Sequence, residues 1–125
     1  MTFRQRWANK YGAKRCEYNG YIYMSKAEAA QAAELDLLLK AGEIKAWERQ
    51  VKVPPMVNGR RVANYFVDFL IHHNDGTREF LEVKGMELPM WRMKWKHFEA
   101  QCEGDPTIKL TVVKVRSRFQ PWRKS

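Results

Sequence analysis

A chain of 125 residues, 45% of them hydrophobic, is enough for one domain around one core. Twenty-three Lys and Arg against fourteen Asp and Glu leave a net charge of +9, which favours a polyanionic partner over an acidic one. No apolar run reaches the length of about eighteen residues that a membrane needs, the first twenty residues hold no apolar secretory core, and Cys16 and Cys102 stand alone; a disulfide framework and a zinc site are therefore not expected, and a reducing cytoplasm is.

Residues 1–15 carry five basic residues and no acid, as do residues 114–125, so basic arms over 1–15 and 116–125 flank a mixed-charge centre. Lys14 and Arg15 in the first arm are candidate DNA contacts, with a solvated tail as the plain alternative. Asn19-Gly20 between alternating segments predicts a hairpin of residues 16–18 and 21–24. Ser25 with Glu28 three residues on has capping-box spacing, and an Ala- and Leu-rich helix follows to about residue 41, ended by Gly42. Residues 44–53 read as a strand closed by Pro54-Pro55. Asn58-Gly59 is a turn, residues 61–72 an apolar strand, Asn74-Asp75-Gly76 a turn, and residues 77–84 the next strand, ended by Gly85. A second helix is expected over 89–102, with Pro89 in its first turn and Gly104-Asp105-Pro106 as its stop, then a strand over 107–115. No repeat or linker divides the chain. After the hairpin the order is helix, three strands, helix, strand, which predicts one α/β domain over 1–125 with a mixed central β-sheet flanked by helices.

In Leu81-Glu82-Val83-Lys84, strand alternation puts Glu82 and Lys84 on one face, roughly 7 Å apart at Cα, and Leu81 and Val83 on the other. In Tyr65-Phe66-Val67-Asp68-Phe69-Leu70-Ile71, Asp68 is a lone charge in an apolar strand, expensive to bury unless a cation or hydrogen bonds satisfy it. The short connection makes these strands antiparallel neighbours, so the right register sets Asp68 beside Glu82. Adjacent carboxylates raise each other's pKa, and a hard divalent cation removes the conflict; oxygen ligands suit Mg²⁺, with Mn²⁺ as a substitute. Lys84 can stabilise charge on a phosphate or position a water. Phosphodiester hydrolysis needs this set of a metal, two acids and a lysine. Glu28 shares a helix stripe with Ala32, Leu35 and Leu39 and is the fourth candidate, facing the metal directly or through water, or else serving as the capping partner of Ser25. Leu37 lies opposite that stripe and offers a second apolar side to a partner subunit. The competing account of Asp68, Glu82 and Lys84 is a buried salt-bridge cluster.

At these residues the chain resembles the PD-(D/E)xK nuclease superfamily: Asp68 stands for the Asp and Glu82-Val83-Lys84 for the (D/E)xK triplet. The longer pattern of Asn9-Lys10-Tyr11-Gly12-Ala13-Lys14, Ser25-Lys26-Ala27-Glu28-Ala29, Gly42-Glu43-Ile44, Gln50, Asp68-Phe69 and Val83-Lys84-Gly85 is similar to a family of small phage proteins grouped with phage endonuclease I, a Holliday junction resolvase. The resemblance covers residues 9–115. It implies a restriction-endonuclease-like core whose first helix supplies a Glu, here Glu28. It implies a Mg²⁺-dependent endodeoxyribonuclease with Glu28, Asp68, Glu82 and Lys84 as catalytic residues, and Asp68, Glu82, Glu28 and the Val83 carbonyl as metal ligands. It further implies a DNA substrate that extends to branched or junction DNA, a homodimer, no small-molecule cofactor and, for a phage chain, the host cytoplasm. Val67 stands where the superfamily motif has a proline, a common departure.

On the second helix, Trp91, Trp95, Phe98 and Cys102 form a stripe expected in the core. Arg92, Lys94 and Lys96 lie beside it and, because the helix follows Lys84, are candidate phosphate contacts. Tyr11, Tyr18, Tyr21 and Tyr23 can stack on bases or pack the hairpin. His72-His73-Asn74 lacks the helix-borne histidine of a His-Asn-His nuclease, and His97 is expected at the surface. The reading from a different class is a basic DNA-binding module in which the acids are structural.

Overall fold

The computed structural model describes residues 15–115. Lys14, Tyr11 and the arms apart from Arg15 lie outside the described residues.

Strands β1 (Cys16–Tyr18) and β2 (Tyr21–Tyr23) form the expected hairpin. Its turn residues, Asn19 and Gly20, both have positive φ (52° and 87°), the condition that Asn-Gly meets at least cost. Helix α1 (Lys26–Lys40) starts where the Glu28 backbone N–H donates to Ser25 Oγ at 3.2 Å, so Ser25 is its N-cap. Strands β3 (Ile44–Lys52), β6 (Phe66–His73), β7 (Arg78–Lys84) and β8 (Ile108–Lys114) build one sheet in that order, with β4 (Met56–Val57) and β5 (Arg60–Arg61) as a separate ribbon. β3, β6 and β7 are antiparallel neighbours, and β8 joins β7 in parallel after helix α2 (Pro89–Cys102). The chain is thus α/β, with a mixed four-stranded sheet, two helices and an N-terminal hairpin.

Two expectations are corrected. The second long strand begins at Phe66, not at residue 61, because the tight Asn58-Gly59 turn pairs its own flanks, Met56 with Arg61 and Val57 with Arg60. The buried stripe of α1 is Ala29, Ala32 and Leu35, with Leu38 packed against it; Leu39 is exposed and Glu28 lies at the stripe's edge. Two alanines let this side of the helix approach the strands closely.

The sheet has a core on each side. On the α1 side, Ala29, Ala32 and Leu35 pack with Tyr23, Ile44, Phe69, Ile71, Leu81 and Val83. On the α2 side, Trp95 and Phe98 pack with Tyr65, Val67, Leu70 and Phe80. Alternation should keep residues two apart on one face. Yet Phe69 lies in the α1 core and Val67 in the α2 core, and on β3 Trp47 packs on the first and Val51 on the second. Both strands switch faces at the level of Gln50 and Asp68, which lie between the pairs Arg49–Phe69 and Val51–Val67. Gln50 takes a left-handed φ of 51° inside its strand, a strain of roughly 1–3 kcal/mol. Such interruptions re-aim side chains, as bulges do. Among the described residues, no helix is long and apolar enough to cross a membrane.

Candidate active site

The interruption coincides with a fork. β6 and β7 pair from His72–Arg78 to Phe69–Leu81, and there the pairing stops. Beyond it β6 stays with β3 as far as Phe66, while β7 stays with β8 as far as Lys84. Side chains replace the missing ladder: the Val83 N–H donates to Asp68 Oδ2 at 2.9 Å, and the Asp68 N–H reaches Glu82 Oε1 at 3.4 Å. Asp68 and Glu82 therefore meet in the fork, each touching the other's strand. The Val83 carbonyl lies on the same strand edge as its N–H, since paired residues in a ladder use both groups toward one neighbour.

Glu82 is only 1% exposed, a burial that a carboxylate tolerates only with donors around it. Three donors meet it. The Tyr65 hydroxyl and Trp91 Nε1 (2.8 Å) both donate to Oε2, and Trp91 Nε1 also lies 3.0 Å from the Tyr65 oxygen. Oε1 is left with the long contact from Asp68 N–H. On Asp68, Oδ1 has a 3.5 Å contact from Gln50 Nε2. The sparsely occupied oxygens of the two acids are thus Asp68 Oδ1 and Glu82 Oε1.

The electrostatics follow. Burial, then the neighbouring Glu82 and Glu28 carboxylates, push the Asp68 carboxyl up to about 8. Burial also raises the Glu28 carboxyl; Lys84 and Arg49 oppose the rise and Glu82 adds to it. Tyr65 is raised by burial and by Glu82, which keeps its proton on the hydroxyl that donates. Lys84 Nζ stands 4.9 Å from the Trp91 ring centroid, a cation–π contact on the α2 side. Asp68, Glu82, Glu28 and Lys84 therefore share one electrostatic neighbourhood, although they come from two strands of the sheet and one helix.

The donor set fits a hard cation. Among the described residues, no three His, Cys, Asp or Glu side chains form a ready-made metal cluster. Mg²⁺ does not need one, because it binds through one or two carboxylates and completes its shell with water and phosphate. Asp68 Oδ1, Glu82 Oε1 and the Val83 carbonyl offer such a partial set, with Glu28 close enough to act electrostatically.

The remaining expected contacts divide. Arg92, in the first turn of α2, lies 3.7 Å from Glu87, and Lys94 donates to the Asn64 carbonyl at 3.0 Å, next to Tyr65. Lys96 is not brought to the fork: it lines a cleft with Glu99, Glu103, Ile108 and Leu110, and Ile108 pairs with Arg78 at the other end of β7. α2 runs back along the sheet, so only its first turns stay near Lys84. Arg15 stands at the entry to β1, its Nε buried and without a partner among the described residues. Tyr18 packs the hairpin by donating to Asp36 at 2.6 Å. His72 and His73 pair separately with Glu48 (2.7 Å) and Glu79 (2.8 Å), and His97 is half-buried rather than at the surface.

The parts that three residues of the neighbourhood play escape a sequence reading. Tyr65 sits in an apolar run and Trp91 in an aromatic stripe, where packing is the ordinary explanation. Gln50 carries no pattern that reveals its left-handed backbone. The available signal was that Tyr65 and Trp91 each pair an apolar body with a donor that must be satisfied when buried.

No curated protein and no solved structure matches the chain. A family model described as Protein of unknown function (DUF1064) matches residues 8–119, nearly the whole chain, and the chain belongs to that family.

Proposed function

We propose that this protein is a metal-dependent endodeoxyribonuclease with a restriction-endonuclease-like core. The observation that carries the reading is the fork: two carboxylates from neighbouring strands meet where backbone pairing ends, with an ammonium two residues beyond one of them. A structural salt bridge accounts for this less well, because Asp68 and Glu82 face each other rather than a cationic side chain. Asp68, Glu82 and the Val83 carbonyl would hold Mg²⁺, or Mn²⁺ in its place, with Glu28 reached through water. When bound, the cation lowers the pKa of its water and offsets phosphate charge. Tyr65 and Trp91 anchor Glu82 through Oε2 and so hold Oε1 toward Asp68. Lys84 supplies a positive charge to the phosphate oxygen that gains charge during hydrolysis. Arg92 and Lys94 hold the backbone from the α2 side.

The net charge of +9 supports DNA as the partner. The phage family resemblance extends the proposal to branched DNA, to a homodimer and to the host cytoplasm. Leu37, 67% exposed on α1, is the apolar residue a second subunit would cover. Light scattering of the purified protein reads the oligomeric state.

The test is incubation of plasmid, linear duplex and a four-way junction with the protein in Mg²⁺, Mn²⁺ or EDTA. Cleavage should require the metal and should fall about 10²–10³-fold in Lys84→Ala while binding persists. DNA binding with no cleavage in either metal would replace the nuclease with a binding module. A full rate in Lys84→Ala would remove the role given to the lysine.

A further inference from the structure

Beyond the charge it sets beside Glu28, Arg49 has been given no part in the site described above, yet its surroundings are unusual. Its Cζ lies 4.7 Å from the Tyr21 ring centroid and 4.9 Å from that of Tyr23. These rings are two residues apart on β2 and form one aromatic shelf, with Tyr23 buried and Tyr21 half open. A guanidinium over aromatic faces is restrained as a plane, and its in-plane N–H donors are the part that recognises an oxyanion two-fold. Among the described residues no carboxylate forms a salt bridge with Arg49, and its Nε is buried without a hydrogen-bond partner. The polar group beside that Nε is the Tyr23 hydroxyl, on which Arg49 acts, so the half-buried guanidinium has no anionic partner among the described residues and its Nη donors are the part a phosphate can reach.

The position adds direction. Arg49 immediately precedes the left-handed Gln50, whose side chain reaches Asp68, and its charge acts on the Glu28 carboxylate. It therefore lies beside the fork on the α1 side, whereas Lys84, Arg92 and Lys94 approach from the α2 side.

We infer that Arg49, held over Tyr21 and Tyr23, is a binding site for a backbone phosphate of DNA flanking the fork. The inference rests on the nuclease reading for the choice of DNA. The phosphate keeps its bonds and accepts hydrogen bonds from the guanidinium; no covalent step is involved.

The test separates binding from cleavage. Anisotropy of a fluorescein-labelled duplex and four-way junction, in EDTA over a salt series, should show Arg49→Met binding about tenfold more weakly. Its salt slope should be smaller by about one. Arg49→Lys should recover part of the slope but less of the affinity, because an ammonium cannot bind two-fold. In the wild type, the Arg49 Nε–Hε resonance, assigned by its loss in Arg49→Lys, should move when the duplex is added in EDTA; this reading survives even if Arg49→Met fails to fold. An unmoved resonance, or wild-type affinity and slope in Arg49→Met, overturns the inference. Weaker binding by Arg49→Met, together with a wild type that cleaves nothing in Mg²⁺, keeps this site and removes the nuclease. Wild-type KM and salt slope in a cleaving Arg49→Met keeps the nuclease and removes this site.

Discussion

Strand β7 buries two acids at opposite ends, and their surroundings differ in kind. Glu79 is 8% exposed, and burial alone would raise its carboxyl, but hydrogen bonds from Thr111 (2.6 Å) and His73 (2.8 Å) and the charge of Lys109 outweigh burial and leave it below the ordinary range. Three residues away, Glu82 is more deeply buried and faces Asp68, which burial and neighbouring acids push the other way, to about 8. The same two strands thus contain one acid that the fold satisfies and one acid pair that it leaves in conflict. An acid with its own partners stabilises the fold; an acid pair in conflict is what supports the cation site proposed here.

The largest effect should come from the conflicted end. Asp68→Asn removes one carboxylate while keeping an oxygen for the Val83 N–H. DNA cleavage should drop about 10³-fold, while stability in EDTA at pH 8 should rise above wild type. Melting curves and nicking assays on one preparation read both; a less stable variant would show that Asp68 is a structural acid like Glu79. Next, Tyr65→Phe removes one of the donors that fix Glu82 Oε2 and should weaken metal affinity or activity about 10–100-fold. Titration with Mn²⁺ measures this, and unchanged affinity would mean that Trp91 suffices.

The satisfied end should answer differently. Glu79→Ala leaves His73 and Thr111 without their partner and should cost about 1–3 kcal/mol in denaturant unfolding. The cleavage rate per folded molecule should not change. A rate loss without a stability loss would abolish the distinction between the two ends.

The smallest expected effect is a pH dependence of opposite sign at the two ends. Asp68 has a folded pKa of about 8 against an ordinary 3.8. Without metal, its contribution is fully present below 3.8 and is lost as pH rises through 8. Glu79, lowered from 4.5, contributes above that value and loses its contribution as pH falls through its folded value. Mg²⁺ should therefore raise the melting temperature more at pH 8 than at pH 5, by about 2–5 °C. An equal shift at both pH values would separate the cation from Asp68.

Much of the architecture was legible in local pattern. Asn19-Gly20 required a turn at positive φ, Ser25 capped its helix, and alternation in 81–84 put Glu82 and Lys84 on one side. Less legible was what Trp91 would do. Its spacing with Trp95 and Phe98 is that of a core stripe, and Trp95 and Phe98 are indeed buried, but Trp91 at the helix start meets a buried carboxylate and donates to it. Lys96 shares a helix with Arg92, yet their surroundings lie at different ends of β7, because a helix laid along a strand carries successive turns away from the point where it began.

The amino-acid order alone determined the kinds of element, the basic charge and the isolation of Asp68 in an apolar run, since these depend on backbone preference and side-chain periodicity over a few residues. Only tertiary structure decided that β6 leaves β7 after Phe69, that Gln50 turns left-handed beside Asp68, that Tyr65 and Trp91 meet at Glu82, and that Arg49 lies near Glu28. Strand register and helix placement are set by packing among residues far apart in the chain, and no local period encodes where two strands stop pairing.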